Sequence, residues 1–457
     1  MRWLRFLALA WLAAAAASGA ARPHLHNDLA DLADRARALP AEFAADALLR
    51  IAAAGGTDAV WRRQAVEDAF QLAAGAQQPF ARHDWNGRLG SPFDKAYAQG
   101  LDACTLQCRA VDAMLELDFK KARELFSSLP SPRIAPLSCS DRLVYDVSVF
   151  YATAGELATR AFSAKEVAAE APFHLLERYA ADLSSPVQIA PIARMLAAAS
   201  LKNGQFETLV DSFAAGLQQL SGDERSFAAT VAGESDGTAI AALAAECTRR
   251  RVSAQPLLDA WRAYLVHNLK GARCADINVE RLPAVLPPIS ADEAKPSSVD
   301  GQATPAGQCQ SPECRQLAAQ FSALLMGPDA HTLSAEQKST AEWKAKLRQF
   351  LEAAADWRDS DDASECFQFK SHFYSELLHT APNGPDRDLL LGALLNWAQN
   401  NAYQRDHRVE WFYPVNVLIV RAFSERALQE SSDPVISLYA QLEQILPRPV
   451  TSLFGLL

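Results

Sequence analysis

The sequence predicts an all-α protein, and three observations carry that expectation. Alanine and leucine dominate, apolar residues recur at helical spacing almost throughout, and no stretch sustains the two-residue alternation of β-branched residues that marks a half-buried strand. Gly and Pro fall mostly between the periodic segments, where the chain must turn. The length accommodates about fifteen helices of roughly 12 to 20 residues joined by short turns.

The chain opens with Arg2 and Arg5, then an apolar run from Phe6 to Ala17 that ends in Ser18-Gly19-Ala20. This is the build of a secretory signal, and the small Ser18 and Ala20 suit a signal peptidase cutting before Ala21. The run is shorter than the roughly 20 residues that cross a bilayer, so 1–20 are expected to be a removed signal peptide and not an anchor. The first cysteine is Cys104, which excludes a lipid-modified amino terminus. No later segment reads as a membrane span, and the mature chain is expected in a periplasm or outside the cell.

Helices follow in order. Phe43, Ala47 and Ile51 share a face after Pro40, and Gly55-Gly56 should stop that helix; Trp61, Ala65, Ala69 and Leu72 form the next stripe. Ser163-x-x-Glu166 and Ser334-x-x-Gln337 are capping boxes, and Ser185 before Pro186 places an N-cap ahead of a proline at the first helical position. Residues 282–311 break the pattern: rich in Pro, Ser, Ala and Gly, they are expected to be a flexible linker or a long surface loop. They separate an amino-terminal helical array, 23–275, from a carboxy-terminal helical region, 312–450. Sequence does not choose between one continuous array and two units.

Two segments resemble the turn and second helix of a tetratricopeptide unit: Leu117-Asp118-Phe119-Lys120-Lys121-Ala122 with Phe126 and Pro130, and Asn203-Gly204-Gln205-Phe206 with Leu209 and Phe213. The copies stand 87 residues apart, not a multiple of 34, and the Trp-Leu-Gly-Tyr pattern of a first helix is missing. What the resemblance implies is an irregular stack of antiparallel helix pairs, a TPR-like superhelix, with no particular partner.

The formal charge of −10 becomes −12 when Arg2 and Arg5 leave with the signal. Such a surface repels phosphate backbones, so nucleic acid is not an expected partner, and Arg249 to Arg251 read as a basic helix end. Eight cysteines in a chain bound for an oxidising space favour disulfides. Cys104 and Cys108, one helical turn apart, lie near Cys139, and one of them is expected to bridge to it; Cys309 and Cys314 are placed to close a small loop. A metal held by Cys104, Cys108, Cys139 and a histidine is the weaker reading, because CxxxC is not a paired CxxC knuckle.

Each familiar chemical motif fails at a named residue. Gly233-Glu234-Ser235-Asp236-Gly237 fits the elbow of a hydrolase nucleophile, but Phe227 to Ala232 make a poor central strand and no oxyanion loop is present. His372, Glu376 and His379 share a helix face and match half of a di-iron motif, which makes them the best metal candidates; no second E-x-x-H occurs. Asp359-x-Asp361 starts a calcium loop, yet Ala363, Ser364 and Lys370 stand at ligand and turn positions. Pro23, lacking an amide hydrogen, spoils a copper chelate at His24 and His26. No cofactor is expected. Trp85 in a polar loop, with Trp411 and Tyr413 before a further helix, are candidates to line a ligand groove.

The expected function is therefore that of an exported, non-enzymatic helical-repeat protein that binds a protein, a peptide or a cell-wall polymer. The alternatives are an envelope enzyme with an unfamiliar site, such as an α/α-toroid glycan hydrolase whose two carboxylates come from distant segments, and a purely structural envelope protein.

Overall fold

The computed structural model describes residues 22–446 apart from 55–56, 85–91, 142, 233–234, 276, 279–281, 284–287, 300–311, 330, 357–362, 383, 401–407 and 423. The signal segment, Gly55-Gly56, Trp85, Cys309 and the acidic run 359–362 lie outside them.

The protein is all-α. Among the described residues there are 23 α-helices and one 3-10 turn. The count exceeds fifteen partly because five helices span only four to six residues, too short to show a helical period in sequence. Two small sheets accompany them: Ala81–Asp84 pairs antiparallel with Leu143–Asp146, and Ala272–Arg273 pairs parallel with Ser298–Val299.

Local chemistry explains the helix starts. Asp58 begins Ala59–Ala73 by accepting from the Val60 and Trp61 amides, Asp118 begins Phe119–Ser127 in the same way, and Asp433 begins Pro434–Ile445. The capping boxes at Ser163 and Ser334 form as their sequence predicts. At Ser185 the Gln188 side chain accepts from the backbone amide at 3.0 Å, and the turn opens as a 3-10 segment, Pro186–Gln188.

Packing builds one large buried cluster that draws on residues from Leu29 to Leu442. Helices 22–37, 41–53, 59–73 and 103–115 pack in succession, but 189–198 packs against 148–160 and 235–249, skipping neighbours. The last described helix, Pro434–Ile445, lies against the first two, Arg22–Arg37 and Ala41–Ala53. In a solenoid each unit touches only its neighbours; a contact between first and last helices is outside that plan. The two TPR-like aromatics also part ways, since Phe206 is fully buried while Phe119 is 49% exposed.

Several described residues of the segment 282–311 are in contact with the preceding helices and strand. Trp261 Nε1 reaches the Pro283 carbonyl at 3.5 Å, Ser290 caps the short helix Ala291–Ala294, Glu293 pairs with Arg262 at 2.9 Å, and Arg273 donates to the Ala294 carbonyl at 3.2 Å. Gly237 is where Pro283 comes closest: a Cβ there would stand 2.5 Å from the proline ring.

Candidate functional sites

A dense polar site lies where the first two described helices meet the last, Pro434–Ile445. Within the Ala-rich helix Ala41–Ala53, Glu42, Asp46 and Arg50 stand four residues apart and so share one face. Asp46, 1% exposed, receives Arg50 Nε at 2.8 Å, Arg109 Nη2 at 2.8 Å and the Tyr439 hydroxyl at 2.8 Å. Burial alone would raise its pKa; Arg50 and Arg109, with help from Tyr439, hold it below the ordinary carboxylate value. Glu42, fully buried, meets Arg408 Nη1 at 3.3 Å, and Arg50 reaches Glu443 at 3.4 Å. Tyr97 donates to Glu410 at 2.6 Å. Around these charges Phe43 packs on Phe412 and Trp411, and Phe412 on Tyr439, with ring centroids 5.0, 5.9 and 4.7 Å apart. An acid whose oxygens accept from two guanidinium groups and a phenol is held as a carboxylate at neutral pH. The cluster fastens helices from distant parts of the chain.

The second site answers burial differently. Asp236 opens the helix Ser235–Arg249, is fully buried, and has no hydrogen-bond donor within 3.5 Å in good geometry on either oxygen. Burial pushes its pKa up to about 7, relieved only in part by Thr230, the Ala190 amide and Arg194. The Thr230 hydroxyl is committed to the Ser226 carbonyl at 3.0 Å. The buried Tyr264 hydroxyl is likewise without a partner, and its pKa is raised by burial and by the charges of Asp236 and Asp223. A carboxyl that titrates near neutrality is often functional, but this one is fully buried. Its neighbour Ser235 donates to the Thr230 carbonyl at 3.2 Å, and the segment before the motif is the helix Glu224–Ala232 where a hydrolase elbow would have a strand.

The cysteines correct the sequence reading. Cys139 is bonded to Cys274, 135 residues away, whereas Cys104 and Cys108 are buried free thiols. The reason is directional: both sit on the core-facing side of the helix Ala103–Leu115, while Cys139 lies in the loop before Leu143–Asp146, against Ala228 and Ala275. The Cys104 thiol is pushed well up, first by its hydrogen bond with Cys108 and then by burial, and burial raises Cys247 to about 11. Such thiols are poor nucleophiles and poor ligands. Cys314 is also disulfide-bonded.

The groove and metal candidates are dispersed. Trp411 is fully buried inside the helix Arg408–Ala422, its indole nitrogen donating to the Ala398 carbonyl at 3.0 Å, and Tyr413 is partly buried on the same helix. Trp411 therefore lines no groove: the run Trp411-Phe412-Tyr413 is helix, not loop, and it turns its indole into the core. His372, Glu376 and His379 all lie on Ala363–Thr380. Enclosure beside the Phe321 ring, 5.6 Å away, lowers the His372 pKa even though much of its surface is exposed, and Glu376 opposes that shift. Their donor atoms do not converge. Among the described residues, the only gathering of three such groups within 4.8 Å is Cys139, Glu224 and Cys274.

Sequence reasoning missed the Asp46 cluster, although its signal was present in the i, i+4, i+8 row of charges on an apolar helix. In comparison with known proteins, the chain matches no family model and no curated protein. Among the described residues no helix is long and apolar enough to cross a membrane.

Proposed function

We propose that the chain is an exported, non-enzymatic protein whose helical surface binds a protein, a peptide or a cell-wall polymer. The observation that carries this reading is a pair of exposed apolar side chains at the starts of two helices joined by ion pairs. Phe119 is 49% and Val60 66% exposed, and Arg63 meets Asp118 at 3.7 Å while Lys121 meets Glu67 at 3.8 Å. An aromatic presented outward from a helix offers contact area of the kind that anchors binding. The disulfides at Cys139 and Cys314 support an oxidising compartment, in keeping with the signal at 1–20. The enzyme reading has less support, because the buried acids Asp46 and Asp236 are respectively saturated and enclosed.

Affinity capture from a native cell envelope, with the mature chain as bait, tests the proposal. A Val60→Asp and Phe119→Asp double variant with unchanged helical circular dichroism is expected to lose one specific partner. Identical capture by both baits would remove this patch as the binding surface.

A further inference from the structure

A carboxylate in the first turn of a helix stands beside the Cys139–Cys274 disulfide. Glu224 is exposed, starts the helix Glu224–Ala232, and places Oε2 3.6 Å from Cys139 Sγ. A disulfide sulfur carries no proton, so this contact is not a hydrogen bond while the bridge is closed. The spacing has another meaning. Tetrahedral zinc, with bonds of about 2.3 Å to sulfur and about 2.1 Å to oxygen, sets its sulfur and oxygen ligands about 3.6 Å apart. All three donor atoms of Cys139, Cys274 and Glu224 already lie within 4.8 Å of one another.

We infer that Cys139, Cys274 and Glu224 form a redox-gated site for a thiophilic divalent cation of the zinc class: closed while the disulfide stands, open once it is reduced. A dithiol reductant supplies the two electrons. Its thiolate attacks the partly exposed Cys139 sulfur, the S–S bond breaks with its electron pair passing to Cys274, and the reductant's second thiol releases it as its own disulfide. Two protein thiols remain. Binding of the cation displaces both thiol protons to solvent and leaves two thiolates and one carboxylate around the metal, with net charge −1. Cys274 is fully buried, Cys139 partly exposed and Glu224 exposed, so the fourth coordination position faces water.

The site differs in kind from Cys104 and Cys108, whose thiols face the core with, among the described residues, no third ligand gathered beside them. It does not depend on the binding function proposed above.

The test is titration of the full mature chain with Co2+ alone, before and after reduction by a phosphine that is then removed without oxygen. The reduced protein is expected to bind one equivalent with thiolate-to-cobalt charge-transfer absorption, displaced by Zn2+, and the oxidised protein none. Glu224→Gln should weaken binding by about tenfold or more, and a Cys139→Ser and Cys274→Ser double variant should abolish it. A Cys314→Ser variant, which controls for the other reduced bridge, should bind as the wild type does. Circular dichroism of the reduced chain with and without metal runs beside each titration. Binding that survives in the double variant, an oxidised protein that binds equally, or a reduced chain that neither takes up Co2+ nor holds its helices with it overturns the proposal.

Discussion

Asp46 and Asp236 are both carboxyls taken out of water, at the junction of the first and last described helices and at the start of the helix Ser235–Arg249 respectively. At the junction, two arginines and a tyrosine converge on the acid and keep it ionised. At the other site Thr230, the Ala190 amide and the Arg194 charge oppose burial too weakly to offset it, and the acid keeps its proton up to about pH 7. Burial alone does not set charge state in this protein; the number of donors delivered by distant segments does. The junction receives them from helices 103–115 and 434–445, which no local pattern could supply.

The comparison breaks most severely at Asp46. Replacing it with Ala leaves Arg50 and Arg109 facing one another without their shared counter-charge, and loss of one partner from a buried pair typically costs about 3 to 5 kcal/mol. Denaturant unfolding of Asp46→Ala is expected to show a loss of that size. An unchanged midpoint would mean that water replaces the carboxylate freely. Because the folded pKa of Asp46 lies below its ordinary value, its contribution stands at neutral pH and disappears as pH falls through the folded value.

Asp236 has the opposite sign. Its ordinary value is 3.8 and its folded value about 7, so between those pH values the unfolded chain has released a proton that the folded chain retains. Stability therefore falls as pH rises through that window, and below it the group has no effect. Asp236→Asn is expected to match the wild type near pH 4 and to exceed it by about 2 to 4 kcal/mol at pH 8. Equal stabilities at pH 8 would show that the folded carboxyl ionises freely.

The smallest effect sharpens the comparison at a single atom. The Tyr439 hydroxyl has one proton, and it goes to Asp46 at 2.8 Å in preference to the Phe43 carbonyl at 3.2 Å. Tyr439→Phe should cost about 1 to 2 kcal/mol, the range for a buried hydrogen bond to a charged group. Measured again in an Asp46→Asn background, the cost should shrink; a cost of the same size in both would place the effect in packing.

Much of the fold was legible from local signals. Ser163 with Glu166 and Ser334 with Gln337 cap helices as read, because a cap is complete within four residues. What failed depended on distant segments. Cys139 finds Cys274 and not its sequence neighbours, since helix geometry turns Cys104 and Cys108 into the core. Trp411 looked like a loop aromatic because Pro414 follows it, yet the helix carries that proline in its interior. Glu42, Asp46 and Arg50 were visible as a charged row, but their meaning depended on Arg408, Tyr439 and Glu443, and Asp46 and Tyr439 are 393 residues apart.

That separation governs when the protein can finish folding. During synthesis the helices 22–37 and 41–53 emerge first, yet Phe43 and Asp46 acquire their covering only when Phe412 and Tyr439 have left the ribosome. Closing a loop of such length is slow compared with forming the neighbouring helix pairs. The first part made is thus the last part completed.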